Sequence, residues 1–249
     1  MTTPTRYPVG GLATEKVTHP LGHIGFPNPF KRITLADDFL RFDDTDEDNY
    51  NIVAATGSVA LTPLEGGAIL LSTTAADNDF VVVTLPVLST PFVLRTGKKA
   101  VFSARVTSNL WDDSTATAPA IVLGLEIATG IGTPIADGGL TTTLTDGVRF
   151  FKPTTSEGFI LQIENGGSIT ASSALTTALT NGTFVTFSWV WDGVDTVSVY
   201  IDDVKVLDQT TITNLPTTAD LLSLCIAIKA GDAAVSTLTV DNVLVAFER

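Results

Sequence analysis

At 249 residues, 44% of them apolar and 16% charged, the chain is long enough to bury a substantial core, and one large sandwich fits this length without a second domain. The net charge of −13 disfavours approach to phosphate backbones and argues against nucleic acid as a partner. No apolar run of about 18 residues exists to cross a membrane as a helix, no basic-then-apolar start marks a secretory signal, and the single cysteine, Cys225, cannot form an intrachain disulfide.

Residues 1–33 hold Pro4, Pro8, Pro20, Pro27 and Pro29 together with Gly10, Gly11, Gly22 and Gly25. Proline removes backbone donors and glycine raises the entropy cost of ordering, so neither a regular helix nor a central strand is expected here. Yet Tyr7, Val9, Leu12, Leu21, Ile24, Phe26 and Phe30 punctuate the stretch, as in an extended arm with spaced apolar anchors. Arg6, Lys16, Lys31 and Arg32 against Glu15 give it a net +3, which leaves −16 on the remainder. Two placements stay open: the surface of another protein, or the arm's own domain.

From residue 34 to residue 249 the pattern is that of one β-sandwich. Phe39, Leu40 and Phe42 predict a first strand or entry segment, and an acidic loop follows. Short strands are predicted at 52–55, 58–61, 68–73, 80–85 and 92–95, each bounded by Gly, Pro or polar turns. Residues 99–108 alternate, 120–128 form an apolar run suited to a central strand, and 148–152 with 159–165 read as a hairpin before a polar Ser/Thr/Ala stretch. Residues 183–209 then alternate three times. Val185, Phe187, Trp189 and Trp191 share one face, Val197, Val199 and Ile201 the next, and the turns fall at Asp192-Gly193 and Asp202-Asp203. Strands at 221–229 and 238–247 close the chain. Short strands with recurrent turns predict an all-β, two-sheet antiparallel jelly-roll sandwich.

Several phrases in this order carry a resemblance: ADDFLRF at 36–42, GGAILLSTTAADND at 66–79, TGKKAVFSARV at 96–106, DGVRFFK at 146–152, WDGVDTVSVYIDD at 191–203 and LTVDNVLVAFER at 238–249. Over about residues 20–249 the chain resembles the concanavalin A-like (laminin-G-like) jelly-roll superfamily. Within it, the chain resembles tailed-bacteriophage virion proteins described as capsid decoration proteins. That resemblance implies a non-enzymatic cement protein, without a cofactor, on the outer surface of the phage head. It further implies the major capsid protein as partner and a homotrimer as the assembly. On this expectation Arg6, Tyr7, Leu12, Leu21, Ile24, Phe26, Phe30, Lys31 and Arg32 would contact the capsid or a sister subunit, each buried apolar anchor contributing about 1.5–3 kcal/mol. The alternative is a glycan-binding module of a phage fibre or cell-surface protein, with host-surface glycans as partner.

Glycosidases of this architecture need two carboxylates about 5–5.5 Å apart for retention. Here IVLGLEIATG carries Glu126 alone, and GFILQIEN carries Gln162 and Glu164 but no carboxylate pair, so no catalytic residue is expected. His19 and His23 flank Pro20 and Gly22, which break any helix that would align them for zinc. Asp44, Asp46 and Asp48 open like an EF-hand loop, but Asn49 stands at the turn position and Ala55 at the twelfth, leaving weak calcium candidates in a solvated acidic loop. Trp111, beside Asp112 and Asp113, suits a sugar platform, an end cap or a contact with a neighbouring subunit. Trp189, Trp191 and Cys225 are expected in the core.

Overall fold

The structure is a computed structural model. It describes residues 32–40, 42, 50–64, 66–85, 92–111, 118–128, 132–139, 141–156, 158–175, 179–210, 212–217, 219–231 and 234–249, with backbone only over 171–174. The predicted arm up to Lys31 and the acidic loop with Asp44, Asp46 and Asp48 lie outside these residues.

Alternation of apolar residues builds two antiparallel sheets. The strands are β1 (Arg32–Asp37), β2 (Asn51–Ala54), β3 (Ser58–Leu61), β4 (Ile69–Ser72), β5 (Phe80–Thr84), β6 (Ala100–Ser108), β7 (Ala120–Ile127), β8 (Gly147–Lys152), β9 (Ile160–Asn165), β10 (Ser168–Ala174), β11 (Val185–Trp191), β12 (Val197–Ile201), β13 (Val204–Gln209), β14 (Leu222–Lys229) and β15 (Thr237–Glu248). One sheet runs β13-β12-β11-β6-β15-β4-β3 with β1 also on β15, and the other runs β10-β9-β8-β7-β14-β5-β2. A shift in register between Val240 and Asn242 divides β15. Its first part pairs with β4 and its last six residues with β1, from Arg32↔Glu248 to Asp37↔Val243.

The inward faces form one core. Ile121, Leu123 and Leu125 of β7 and Leu222, Leu224, Ile226 and Ile228 of β14 meet Phe102, Trp189, Val199 and Val245 from the other sheet. A run of rings threads it, with centroid separations of 5.7 Å for Trp111–Phe159, 4.6 Å for Phe159–Phe187, 5.5 Å for Phe150–Phe187 and 6.4 Å for Phe102–Phe150. Aromatic pairs at these spacings contribute beyond their buried area.

Local differences from expectation have local reasons. β1 starts at Arg32, so Arg32 and Ile33 belong to the sheet although the sequence reading placed them in the arm; Ile33 and Leu35 pack against the core. At Phe39 the chain turns, so the first strand or entry segment expected there is not a strand. Phe39 adopts φ 54°, its N–H donates to Asp37 Oδ1 at 2.7 Å, and its ring packs with Phe42 and Tyr50. The predicted 92–95 strand reduces to one bridge, Phe92↔Leu222. The polar stretch after residue 165 contains β10, an edge strand that pairs with β9. Asp202-Asp203 is the expected two-residue turn, with φ 47° and 64°. Asp192-Gly193 opens a longer loop, because Asp192 Oδ1 accepts from the N–H groups of Val194, Asp195 and Thr196.

Candidate functional site

Residues of the seven-stranded sheet that point away from the core form rows across the strands. One row reads Glu164, Gly147, Glu126, Ser223; the next reads Gln162, Arg149, Gly124, Cys225, Thr84. A third is apolar, with Ile160, Phe151, Val122, Ala227 and Val82, and a fourth places Lys229 beside Ala120 and Phe80.

A hairpin lies over these rows. Ile135 bridges Thr142, Ala136 N–H donates to Thr141 at 2.9 Å, and the chain reverses at a 3-10 turn, Asp137–Gly139. Ile135 and Leu144 pack on Val82, Val122, Phe151 and Ala227. Gly139, at φ 64°, lets the tip lie flat, since a Cβ there would meet the Thr154 methyl. Two cations hold the underside. Lys229 Nζ donates to Ile135 O at 3.2 Å, Ala136 O at 3.1 Å and Asp137 Oδ1 at 3.1 Å. Arg149 reaches Thr142 Oγ1 at 3.0 Å and the Leu144 carbonyl.

Arg149 is also the centre of a buried polar cluster. It donates from Nε to Gln162 at 2.9 Å, from Nη1 to Glu126 Oε2 at 2.6 Å and from Nη2 to Glu164 Oε2. Room for this comes from two glycines. A Cβ on Gly124 would stand 2.5 Å from Arg149 Cα, and one on Gly147 would press on Glu126 Oε2. The carboxylates absent as a pair along either strand therefore meet across three strands. One guanidinium cannot balance two carboxylates plus the nearby Asp146. Burial pushes Glu126 up to about 8 despite Arg149, with Glu164 and Asp146 adding to the rise, so Glu126 is held neutral at pH 7. Its Oε1 is buried without a hydrogen-bond partner.

Past the hairpin tip an open depression of about 330 Å³ is lined by Asn78, Phe80, Thr133, Ile135, Ala136, Asp137, Thr143 and Lys229. Asn78, at φ 62°, accepts the Gly138 N–H on Oδ1 at 3.0 Å. Asp137 gives one oxygen to Lys229, and its side chain is 95% exposed. Phe80 is half-buried beside them. Asp79 fixes the Asn78–Phe80 loop by accepting from Thr56 N at 2.9 Å, Thr74 N at 2.6 Å, Thr74 Oγ1 at 2.8 Å and Phe80 N at 3.0 Å. Partial burial raises its pKa, but the hydrogen bonds from Thr74 and Thr56 outweigh that and hold it at about 2.

Of the residues singled out from sequence, Arg32 lies in β1, whereas Arg6, Tyr7, Leu12, Leu21, Ile24, Phe26, Phe30 and Lys31 fall outside the described residues. Trp111 is fully buried, with Nε1 donating to Thr183 O at 3.3 Å, so it caps the core and offers no sugar platform. Trp189, Trp191 and Cys225 are buried as expected; burial raises the Cys225 thiol well above its usual range. No group of three His, Cys, Asp or Glu placed to hold a metal occurs among the described residues. The Arg149 cluster was missed, though a signal existed: 148–152 and 159–165 read as a hairpin, and an arginine facing Gln162 and Glu164 in apolar strands marks a buried partnership.

No protein-family model matches the chain, and no curated protein matches it in sequence. Solved structures do match. The Emp47p carbohydrate recognition domain superposes with a TM-score of 0.60 at 12% identity, covering 90% of this chain and 99% of its own. Peanut lectin gives 0.57 at 13%, covering 87% and 97%, and a glycoside hydrolase family 16 endo-glucanase from Bacteroides ovatus gives 0.58 at 10%, covering 85% and 99%. The fold is thus the concanavalin A-like jelly-roll sandwich, shared by lectins and glycan-cleaving enzymes.

Proposed function

We propose that this chain is a non-catalytic carbohydrate-binding module whose site is the depression at the hairpin tip. The carrying observation is the convergence of Asp137, Asn78 and Phe80 on an open hollow of about 330 Å³. A pyranose presents adjacent hydroxyls, which want a donor and an acceptor side by side, and a C–H face, which packs on an aromatic ring. Asn78 supplies the donor, the outward Asp137 oxygen the acceptor and Phe80 the ring. The hollow is at the small end of ligand-site volumes, about 300–1,000 Å³, and fits one or two sugar units. The lectin neighbours support this reading at the level of fold only. Against catalysis stand Glu126 and Glu164, which share Arg149 beneath the hairpin with no route for a glycosidic bond. Capsid decoration retains the sequence resemblance as its support, and its expected contacts precede β1 except for Arg32, the first residue of that strand.

The test is a glycan array with the unmodified chain and with Asp137→Ala and Asn78→Ala. Binding to a defined glycan class, weakened roughly tenfold or more in each variant, is the expected result. Binding untouched by both variants but lost with a chelator would move the site to Asp44, Asp46 and Asp48. No glycan binding, together with sedimentation on undecorated phage heads, would overturn the proposal in favour of decoration.

A further inference from the structure

Lys229 and Arg149 both hold the hairpin over the seven-stranded sheet, but they are differently occupied. Lys229 donates to the hairpin alone, at Ile135, Ala136 and Asp137. Arg149 divides its donors between the hairpin, at Thr142 and Leu144, and the side chains of Gln162, Glu126 and Glu164. Glu126 is 0% exposed, and its Oε1 is buried with no hydrogen-bond partner. A protonated carboxyl leaves one hydrogen bond unmade there. An ionised one leaves part of a charge without water, which is much the less stable state. The groups facing it do not offset that charge. β8 offers Arg149, which Glu164 on β9 shares, and Asp146 stands just before β8. β14 offers the Ser223 hydroxyl and the Cys225 thiol, and the hairpin offers the Thr142 hydroxyl and the Leu144 carbonyl, none of them a cation.

We infer that Glu126 is the latch of a pH-sensitive roof: protonated, it lets the hairpin seal on the sheet, and ionised, it favours a lifted hairpin that admits water to Oε1. The first support is the shared guanidinium. Arg149 is bonded to the latch and to the roof at once, so a rearrangement around Glu126 acts directly on the contacts at Thr142 and Leu144. The second is charge: one buried cation stands among Glu126, Glu164 and Asp146, and the cheapest relief for a second buried anion is hydration. The third is what the roof carries. Thr133, Ile135, Ala136, Asp137 and Thr143 of the hairpin form one wall of the hollow, and Asn78, Phe80 and Lys229 of the body form the other. Lifting therefore separates Asp137 from Asn78 and Phe80. As a control on sugar binding the inference rests on the reading of that hollow; as a motion of the roof it rests on the cluster alone. The direction follows from linkage. The sealed roof holds the Glu126 proton up to about pH 8, whereas a hydrated carboxyl releases it near 4.5. The roof is thus sealed below pH 4.5 and loosens progressively up to about 8, the open-to-sealed ratio rising roughly tenfold per pH unit and then levelling off.

Cys225 reports the roof directly, because this single cysteine is buried in one apolar cluster with Ile135 and Leu144 of the hairpin. The experiment labels it in the full chain with dithiodipyridine across the pH range and divides each rate by that of Glu126→Gln at the same pH, which cancels the reagent's own chemistry. The ratio should climb roughly tenfold per pH unit through the neutral range and flatten above about pH 8. Labelling should also change little in dilute urea, as a local opening exposes far less surface than global unfolding. A ratio that stays flat with pH overturns the inference, and so does a urea dependence as steep as that of global unfolding. Glu164→Gln provides a second variant should Glu126→Gln not fold. It removes a charge that repels an ionised Glu126, so its labelling should stop rising at a lower pH than in the unmodified chain. Coincident curves for the two would also overturn the latch. The readout involves no ligand, so the latch and the sugar reading of the hollow fail separately.

Discussion

The outer faces of the two sheets solve the same problem by opposite means. That of the seven-stranded sheet is roofed by a hairpin held through Lys229 and Arg149, whose donors meet carbonyl, hydroxyl and carboxylate acceptors at 3.0–3.2 Å. That of the eight-stranded sheet carries a patch of Val, Ala and Tyr without a charge in it. Charge-assisted hydrogen bonds are directional, whereas apolar burial is not. The first arrangement fixes where Asp137 stands to within a hydrogen bond, as a recognition site requires.

The comparison breaks most severely at Arg149. Arg149→Leu strands Glu126 and Glu164 without their guanidinium and should cost about 3–5 kcal/mol in urea unfolding. Adding Glu126→Gln and Glu164→Gln should restore most of that loss. If Arg149→Leu alone were neutral, the cluster would not hold the hairpin.

A loss of comparable order is expected from ionising Glu126 while Arg149 stays in place. The folded-state value of about 8 lies above the ordinary 4.5, so the folded chain holds this proton more tightly than the unfolded one. Its contribution is full below pH 4.5 and disappears as pH rises to about 8. Asp79 acts in the opposite sense. Held at about 2 against an ordinary 3.8, it stabilises above pH 3.8 and loses that contribution as pH falls toward 2. Thermal melts should therefore show a maximum near pH 4–5 from these two groups, and Glu126→Gln should flatten the neutral limb only.

Lys229→Met removes three acceptors' donor at once and should cost about 1.5–3 kcal/mol. Hydrogen exchange at Ala136 and Gly139 should accelerate, and glycan binding through Asp137 should weaken with it. Val190→Ala on the other sheet should cost only about 1 kcal/mol and leave exchange in the hairpin unchanged. Equal effects of the two substitutions on the hairpin would erase the contrast between the faces.

Much of the sandwich was legible because period-two patterning separates inward from outward residues within one strand. Phe187, Trp189, Val197 and Val199 needed no partner to be placed. What resisted was anything fixed between strands. Glu126 and Glu164 are 38 positions apart in sequence, on strands separated by β8, and only the register of three strands brings them to one arginine. Asn78 and Asp137 meet because a hairpin tip reaches back over β14 and β5, a geometry that no local spacing encodes. β10 escaped notice because an edge strand such as SITASSA needs few apolar residues, and β1 because its alternation begins where the proline-rich stretch ends.

β15 carries a further consequence. This single 12-residue strand pairs with β1, β4 and β6, joining residues as far apart as Arg32 and Glu248. The eight-stranded sheet therefore cannot close until β15 has been synthesised, and the loop it shuts spans almost the whole body of the domain. Non-local pairings of this kind slow folding and leave strand edges open in the meantime. During translation β4 and β6 each wait with one unpaired edge until β15 is made, and those edges are open to misassembly in that interval.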